Sequence, residues 1–460
     1  MTEIAAYLKE HAAKFEEDLK TLLRIPSVST KEECKGEMIR CAEEVVRQLK
    51  EAGIEKAELM PTKGNPIVFA ASEQKADRPT VLIYGHYDVQ PEEPLDEWKT
   101  PPFEPTIIDG KIYARGTSDD KGQFLIHVKA AETMNALKAL PVNLKFCLEG
   151  EEEVGSTNLA DFIVANKELL KSDVLVISDT TMYAPGRPSL LYGLRGLAYM
   201  QVDLKAANTD MHSGMFGGSV PNPINELCRI IAALHDDKGR VTVPGFYDKV
   251  VPLRQSERDE WKALGFDEEE YRESLGIKQL CGEEGYTCTE RRWARPTLDV
   301  NGIWGGYTGE GDKTVIPAVA HAKLSCRLVP NQDQQEIGAL VKKEIERLAG
   351  PCVEVDVRLS HGGPAWMVEP DAPVLKAAAK ASEKAWNVEP VKAREGGSIP
   401  IVHTFTTVLN VPAILLGIGL EDEQVHAPNE HLSLENFHAG IAASCYLMQE
   451  IAALPEMQKK

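Results

Sequence analysis

The chain has 460 residues, of which 43% are hydrophobic and 27% are charged, a composition typical of a soluble globular protein with more than one domain. Subtracting 71 acidic residues from 51 basic residues leaves a net charge of −20, which argues against nucleic acid or an anionic membrane as a partner. No apolar run approaches the roughly 18 residues of a membrane span, and the N-terminus lacks the basic and apolar regions of a secretory signal.

The cysteines indicate the redox environment. The chain has nine, scattered and without a Cys-x-x-Cys pair. An odd, dispersed set favours reduced thiols over a disulfide framework or a thiolate zinc site. We therefore expect a cytoplasmic protein.

The first part of the chain alternates predicted helices and strands. Helical patterns cover residues 1–20, 35–53, 123–140 and about 157–170, and apolar β-rich runs cover residues 65–71, 80–84, 109–115, 142–148 and 173–178. Strands that alternate with helices predict an α/β domain with a mainly parallel sheet flanked by helices.

Polar residues follow these strands at the point where each ends. They are His86 and Asp88, the acidic run Glu149 to Glu153, and Asp179, with Asp119 and Asp120 in a turn before a helix. Because a parallel sheet gathers its strand ends at one edge, a single metal site would explain all of them together. Each position alone is also explained by a polar turn, a helix cap or a solvated acidic loop.

Spacing alone leaves some roles open. His86 and Asp88 project to the same side of an extended segment, so Asp88 could bind a metal or hold the imidazole of His86. The spacing does not choose a metal ligand or a base among the four carboxylates Glu149, Glu151, Glu152 and Glu153.

From about residue 191 the pattern changes. An alternating strand and a glycine-rich loop at 210–218 precede a polar, helix-rich stretch at 247–285, and further strands and a helix extend to residue 359. These elements predict a second, inserted α+β domain. A helix at 371–386, a strand at 411–418 and a closing helix at 433–454 rejoin the first domain. We therefore place the domain segments at 1–190, 191–365 and 366–460.

Five ordered motifs carry a family resemblance: GHYDVQP at 85–91, RGTSDDKG at 115–122, EGEEEVGS at 149–156, SDT at 178–180 and HAPNE at 426–430. Together they resemble the dinuclear zinc peptidases, the family of carnosinases, cytosolic non-specific dipeptidases, glutamate carboxypeptidases and succinyl-diaminopimelate desuccinylase. The cytosolic dipeptidase branch is the most similar, on the motifs DMHSGMFGG at 210–218, KTVIP at 313–317, CRLVPN at 326–331 and REGGSIP at 394–400.

The resemblance implies a role for each matching position. His86 and Asp179 would bind one metal ion, Glu153 and His426 a second, and Asp119 would bridge the two. Nitrogen and oxygen ligands suit zinc, and also manganese or cobalt. Asp88 would orient His86, and the peptide bond between Asp119 and Asp120 would be cis.

The resemblance also implies a reaction and a substrate. A metal-bridging hydroxide, formed with Glu152 as general base, would hydrolyse dipeptides or short peptides. The inserted domain would act as a lid and dimerisation domain in a homodimer. His212 would reach the active site of the neighbouring subunit, and Arg327 and Ser398 would hold the substrate carboxylate beside Thr314.

Three other functions compete with this interpretation. An N-acyl amino acid or acyl-diamine deacylase would use the same metal centre. A catalytically inactive metal-binding scaffold would have lost the base or a ligand, yet every matched position carries a competent residue. A cation-storage or acidic interaction protein would place its acids on a polar stretch, whereas these acids follow apolar strands.

Overall fold

The structure is a computed structural model that describes residues 2–397 and 399–458. The chain divides into two compact units. Unit 1 comprises residues 1–192, 368–393 and 404–460, and unit 2 comprises residues 193–367 and 394–403. Unit 1 is therefore built from three separate parts of the chain.

The first 192 residues supply most of unit 1. Their helices are α1 (Glu3–Leu23), α2 (Lys35–Glu51), α3 (Lys121–Ala136), α4 (Leu159–Ala165) and α5 (Lys167–Leu170). Their strands are β1 (Lys56–Met60), β2 (Ile67–Ala71), β3 (Thr80–His86), β4 (Thr106–Ile108), β5 (Lys111–Tyr113), β6 (Asn143–Glu149), β7 (Val174–Ile177) and β8 (Ser189–Leu194).

Unit 2 begins at the end of β8. Its strands are β9 (Gly196–Lys205), β10 (Met211–His212), β11 (Thr297–Gly305), β12 (Val315–Ile316), β13 (Val319–Leu328), β14 (Glu354–Gly363) and β15 (Trp366–Met367). Its helices are α6 (Ser213–Phe216), α7 (Pro223–Ala233), α8 (Gln255–Ala263), α9 (Glu268–Ser274), α10 (Cys288–Ala294) and α11 (Gln334–Leu348).

The remaining elements follow residue 367. They are α12 (Pro373–Trp386), β16 (Val391–Glu395), α13 (Pro400–Leu409), β17 (Ala413–Leu415), β18 (His431–Ser433) and α14 (Leu434–Ala452). The side chain of Ser433 accepts a hydrogen bond from the Asn436 amide, so α14 begins with a capped N-terminus.

The large sheet of unit 1 has the strand order β1-β2-β6-β3-β7-β17-β8, and β16 also pairs with β8. Its four central strands, β6, β3, β7 and β17, are parallel, whereas β1, β2 and β8 pair antiparallel to their neighbours. Every residue of β3 is buried, as expected for a strand covered on both faces. The carboxyl ends of the parallel strands meet at one edge, and the candidate site lies there.

A small three-stranded sheet, β18-β5-β4, also belongs to unit 1. It brings the chain after residue 430 against the chain before residue 114, because His431 pairs with Tyr113. The core of the unit joins side chains of α1, α2, α3 and α14 to the central strands, with Phe15, Phe124 and Phe437 essentially inaccessible to solvent.

Unit 2 contains a four-stranded antiparallel sheet in the order β11-β13-β9-β14. Buried and half-buried residues alternate along β9, which is the pattern of a sheet that packs on one face only. Residues of α7 and α11, including Leu227, Ile230 and Val341, share its core. Strands β10 and β12 form a separate two-stranded antiparallel sheet.

The predicted α/β class is confirmed, with parallel strands at the centre of the sheet and antiparallel strands beside them. Several short elements were absent from the sequence prediction: β1, β4, β16, β18, α7 and α13. Among the described residues, no helix has the length and apolar character needed to cross a membrane.

Candidate metal centre

The candidate site is built at the carboxyl edge of the parallel strands of unit 1. His86 is the last residue of β3, and its register partner on β6 is Glu149. A short 3₁₀ helix, Glu152–Val154, follows β6, and Asp179 follows β7. Asp119 precedes α3, and His426 lies in the loop before β18.

The structure brings five of the predicted residues into two overlapping groups. His86, Asp119 and Asp179 form the first group, and Asp119, Glu153 and His426 form the second. In each group the potential ligand atoms lie within 4.8 Å of one another. Asp119 belongs to both.

The carboxylate of Asp119 faces a different histidine with each of its oxygens. Oδ1 lies 3.0 Å from Nε2 of His86, and Oδ2 lies 2.8 Å from Nε2 of His426. A carboxylate held in this way is arranged to bridge two cations. The peptide bond between Asp119 and Asp120 is cis, which confirms that prediction.

The first group fits a metal ion. Nδ1 of His86 lies 3.1 Å from the backbone oxygen of Asp88, and a proton on Nδ1 would satisfy this contact. Nε2 would then direct a lone pair at an Asp119 oxygen, and this buried atom has no hydrogen-bond partner within the described part of the chain. Two facing acceptors need a cation between them, and imidazole and carboxylate are ligands that zinc accepts.

The second group also fits a cation. Oε1 of Glu153 is buried and lacks a hydrogen-bond partner among residues 2–397 and 399–458. Its other oxygen, Oε2, lies 3.3 Å from Nε2 of His426 and accepts a hydrogen bond of 2.7 Å from Gln90. Sequence reasoning did not identify Gln90, although it lies within the motif GHYDVQP and could have been found there.

Without metal, protons take the place of the cations. Burial disfavours the charged form of His86, but the nearby carboxylates of Asp119 and Asp88 raise the pKa of His86 well above its usual value. Hydrogen bonds with Asp119 and Glu153 raise the pKa of His426 to about 10. Burial and the charge of Asp119 raise the pKa of Asp179 well above its ordinary value. These directions describe a negatively charged pocket that stabilises positive charge.

Asp88 has a contact that its spacing did not predict. Its carboxylate lies 3.4 Å from Nδ1 of His86, close enough for the predicted electrostatic support. The two oxygens also accept hydrogen bonds from the backbone amides of Glu152, at 3.2 Å, and Glu153, at 3.1 Å. Asp88 therefore connects the end of β3 to the turn that carries these two glutamates.

The four acids after β6 have different surroundings. Glu149 is buried and accepts hydrogen bonds from Tyr84 and Ser156, and burial raises the pKa of Glu149 to about 8. Glu151 accepts a hydrogen bond from Asn158. The side chain of Glu152 makes no hydrogen bond with any described residue, and burial raises the pKa of Glu152 to about 7. Tertiary structure thus separates residues that sequence spacing left equivalent.

Three of the four predicted substrate residues lie in the described part of unit 2. His212 is exposed at the end of β10, and its Nδ1 accepts a hydrogen bond from the Gly214 amide. Thr314 is exposed, and its backbone oxygen accepts a hydrogen bond of 3.0 Å from the Ser213 amide. Arg327 is half-buried on β13. Ser398 lies outside the described residues.

Arg327 belongs to a cationic cluster that the sequence did not reveal. Burial lowers the pKa of Arg195 to about 10; the positive charges of Arg327 and Arg292 act in the same direction, and the carboxylate of Asp299 opposes them. Arg195 also donates hydrogen bonds to the backbone oxygens of Gly396 and Arg295. A cluster of guanidinium groups favours an anionic ligand such as a carboxylate.

The chain resembles known peptidases in sequence and in fold. The chain is 36% identical over 454 residues to the Cys-Gly metallodipeptidase DUG1 of Candida albicans, covering 94% of this chain and 93% of that protein. It is 34% identical over 395 residues to human Beta-Ala-His dipeptidase, covering 85% of this chain and 78% of that protein.

Solved structures show the same similarity. The dipeptidase Dug1p of Saccharomyces cerevisiae matches with a TM-score of 0.82 and 31% identity, covering 99% of both chains. The M20 metallo-carboxypeptidase Sso-CP2 of Sulfolobus solfataricus matches with a TM-score of 0.83 and 34% identity, covering 96% of this chain and 99% of that chain.

The model of Peptidase family M20/M25/M40 matches residues 82–450. This match begins within the strand that ends in His86 and includes the two candidate ligand groups and all of unit 2. It confirms the resemblance to metallopeptidases that the five motifs indicate. The chain belongs to peptidase family M20/M25/M40.

Proposed function

We propose that this protein hydrolyses dipeptides or other short peptides at a centre that holds two divalent metal ions. The observation that carries the proposal is the carboxylate of Asp119, whose two oxygens face His86 and His426. The sequence relatives named as dipeptidases, which share 34 to 36% identity with the chain, support the choice of substrate.

Five residues would hold the ions. His86 and Asp179 would bind one, Glu153 and His426 the other, with Asp119 between them. The donor set suits zinc, and also manganese or cobalt. When bound, the ions supply polarisation of the scissile carbonyl and lower the pKa of a water molecule.

Glu152 would move the proton. Its carboxylate has no hydrogen-bond partner among the described residues, so it is available to a water molecule. In the metal-free protein burial raises the pKa of Glu152, so its carboxylate takes up a proton more readily than that of an exposed glutamate. In this role Glu152 takes a proton from the attacking water and then donates it to the departing amine. Asp88 would hold the turn that presents Glu152, because its carboxylate accepts hydrogen bonds from the backbone amides of Glu152 and Glu153.

Unit 2 would bind the substrate. The guanidinium cluster around Arg327 suits the free carboxylate of a dipeptide, and we assign Thr314 and Ser398 to the same subsite. We propose that the inserted segment, residues 191–365, acts as a lid and dimerisation domain between catalytic segments 1–190 and 366–460. In a homodimer His212 would serve the partner subunit's active site.

The substrate proposal is tested with a panel of dipeptides, N-acyl amino acids and longer peptides, assayed with zinc, manganese or cobalt added in turn to metal-depleted protein. We expect dipeptides to be cleaved fastest, with release of free amino acids. Cleavage of N-acyl amino acids without dipeptide hydrolysis would replace the proposal with a deacylase on the same centre.

The dimer proposal has its own test, in which His212→Ala and Glu152→Gln chains are co-expressed with different affinity tags and the mixed dimer is purified. Each variant alone should be inactive, but the mixed dimer contains one site with both an intact Glu152 and an intact His212. Recovery of about half of the wild-type activity per dimer is expected. A mixed dimer that stays inactive, or a protein that runs as a monomer, would contradict the role of His212 across subunits.

A cytoplasmic location is the last part of the proposal. All nine cysteines are free thiols in the structure, and six of them are buried. Free thiols in this number suit a reducing compartment. Fractionation of the producing cells, with an immunoblot for the protein, tests the location.

A further inference from the structure

Glu430 is a fully buried carboxylate close to the candidate metal centre. Oε2 accepts hydrogen bonds from Nη1 of Arg115, at 2.7 Å, and from the Gly116 amide, at 3.0 Å. Oε1 accepts hydrogen bonds from the amides of Ser118, at 2.9 Å, and Asp119, at 3.1 Å. Four donors therefore converge on one side chain, and three of them are backbone groups of the segment 116–119.

The segment 116–119 depends on side chains for its shape. It lies between β5 and α3, outside any strand or helix. Besides the contacts with Glu430, the Ser118 hydroxyl donates to Glu423 at 2.6 Å, and the Ser118 carbonyl accepts from Gln123 at 2.8 Å. Glu430 is the carboxylate that holds the amide of Asp119 itself.

Glu430 also fixes the segment that carries His426. The residues Gln424, His426 and Asn429 have positive φ values of 56°, 62° and 68°, which non-glycine residues seldom adopt without support. At the end of this loop Asn429 contacts the backbone of Glu97 and Lys99. The carbonyl of Glu430 accepts a hydrogen bond from the Ala114 amide at 3.2 Å. The loop of His426 is thus joined to the chain that leads to Asp119.

We propose that Glu430 is a positioning residue for the metal centre: its carboxylate holds the backbone of residues 116–119 so that Asp119 can face His86 and His426 at once. The inference rests on the proposed function, because it assigns to Asp119 the bridging role. The arrangement goes beyond charge neutralisation, since the ion pair with Arg115 alone would not need three backbone donors. The competing explanation is that Glu430 only neutralises the buried charge of Arg115.

The test compares metal affinity with stability. Glu430→Gln keeps the size of the side chain but puts an amide NH₂ against backbone N–H groups. Glu430→Asp keeps the charge for Arg115 but is one methylene shorter, so it does not reach both ends of the segment. The control is Asp18→Asn, which weakens the ion pair of Asp18 with the buried Lys129, 2.7 Å away in the same unit.

Each metal-depleted protein is titrated with zinc by calorimetry, and its melting temperature is measured without metal. We expect both Glu430 variants to bind at least one ion about 10- to 100-fold more weakly, as is typical when a group that orients a ligand is removed. Asp18→Asn should lower the melting temperature and bind zinc as the wild type does. Activity of Glu430→Gln should recover as the zinc concentration is raised.

The outcomes separate this inference from the proposed function. A wild-type protein that binds no zinc would overturn the proposed function. Wild-type affinity in both Glu430 variants, with a wild type that does bind two ions, would overturn the positioning role alone. An equal loss of affinity in Asp18→Asn, or failure of both Glu430 variants to fold, would show that Glu430 acts through stability and would also overturn it.

Discussion

Replacing Glu152 with glutamine tests the proposed mechanism most directly. The change removes a proton acceptor and keeps the size of the side chain. Because the Glu152 carboxylate makes no hydrogen bond with a described residue and lies near the charges of Asp119 and Glu153, its loss breaks no contact that stabilises the fold. We expect the melting temperature and the zinc stoichiometry of Glu152→Gln to match those of the wild type.

The expected loss of rate follows from the role of a general base. Such groups contribute about 10²- to 10⁴-fold to the rate, which corresponds to about 3 to 5 kcal/mol of transition-state stabilisation. Burial raises the pKa of Glu152 in the metal-free protein, and bound cations would lower it, so we expect a loss anywhere within this range. The loss should appear in kcat, with little change in KM.

Glu151→Gln is the matched control. Glu151 is the adjacent residue, but its carboxylate contacts Asn158 at 2.7 Å and the Asn65 amide at 3.3 Å. We expect this variant to keep kcat within about threefold of the wild type, because it has no role in proton transfer. Both variants are assayed with dipeptides at saturating metal. Near-normal turnover by Glu152→Gln, or an equal loss in Glu151→Gln, would refute the assignment of the base.

Three further predictions concern metal, pH and substrate. Removing metal with a chelator should abolish hydrolysis, and unchanged activity after verified metal removal would contradict the need for metal. Adding zinc at about 100 times its dissociation constant should stabilise the protein by about 2.7 kcal/mol, visible as a higher melting temperature. Burial lowers the pKa of His127 to about 3, so below about pH 6.5 the unfolded state binds one more proton at this residue than the folded state does. As the pH falls, His127 should therefore lower the free energy of unfolding by about 1.4 kcal/mol per pH unit. His127→Gln should reduce that slope between pH 6 and 4 in denaturant titrations of the metal-depleted protein, and identical slopes would count against it. Arg327→Met should raise KM for dipeptides about 10- to 100-fold, the value of a charge-assisted hydrogen bond, without affecting dipeptide amides; equal effects on both substrates would exclude carboxylate recognition by Arg327.

The sequence by itself determined the class of the fold and the kind of chemistry. Alternating apolar strands and helices predicted the α/β unit, because strand and helix periodicities depend on local residue order. The polar residues after each strand predicted a site at one sheet edge, because parallel strands must end together. The five motifs added the family, which the comparisons confirm.

Tertiary structure decided what local order does not encode. Short elements such as β18 form only because Tyr113 and His431, 318 residues apart, are brought together. Glu149, Glu151, Glu152 and Glu153 are equivalent in sequence, but burial and hydrogen bonds distinguish them. The surroundings of Glu430 also depend on the fold, because its four hydrogen-bond donors come from residues more than 300 positions away in the sequence. Side-chain environments at this edge depend on contacts between distant segments, and only the folded chain brings those segments together.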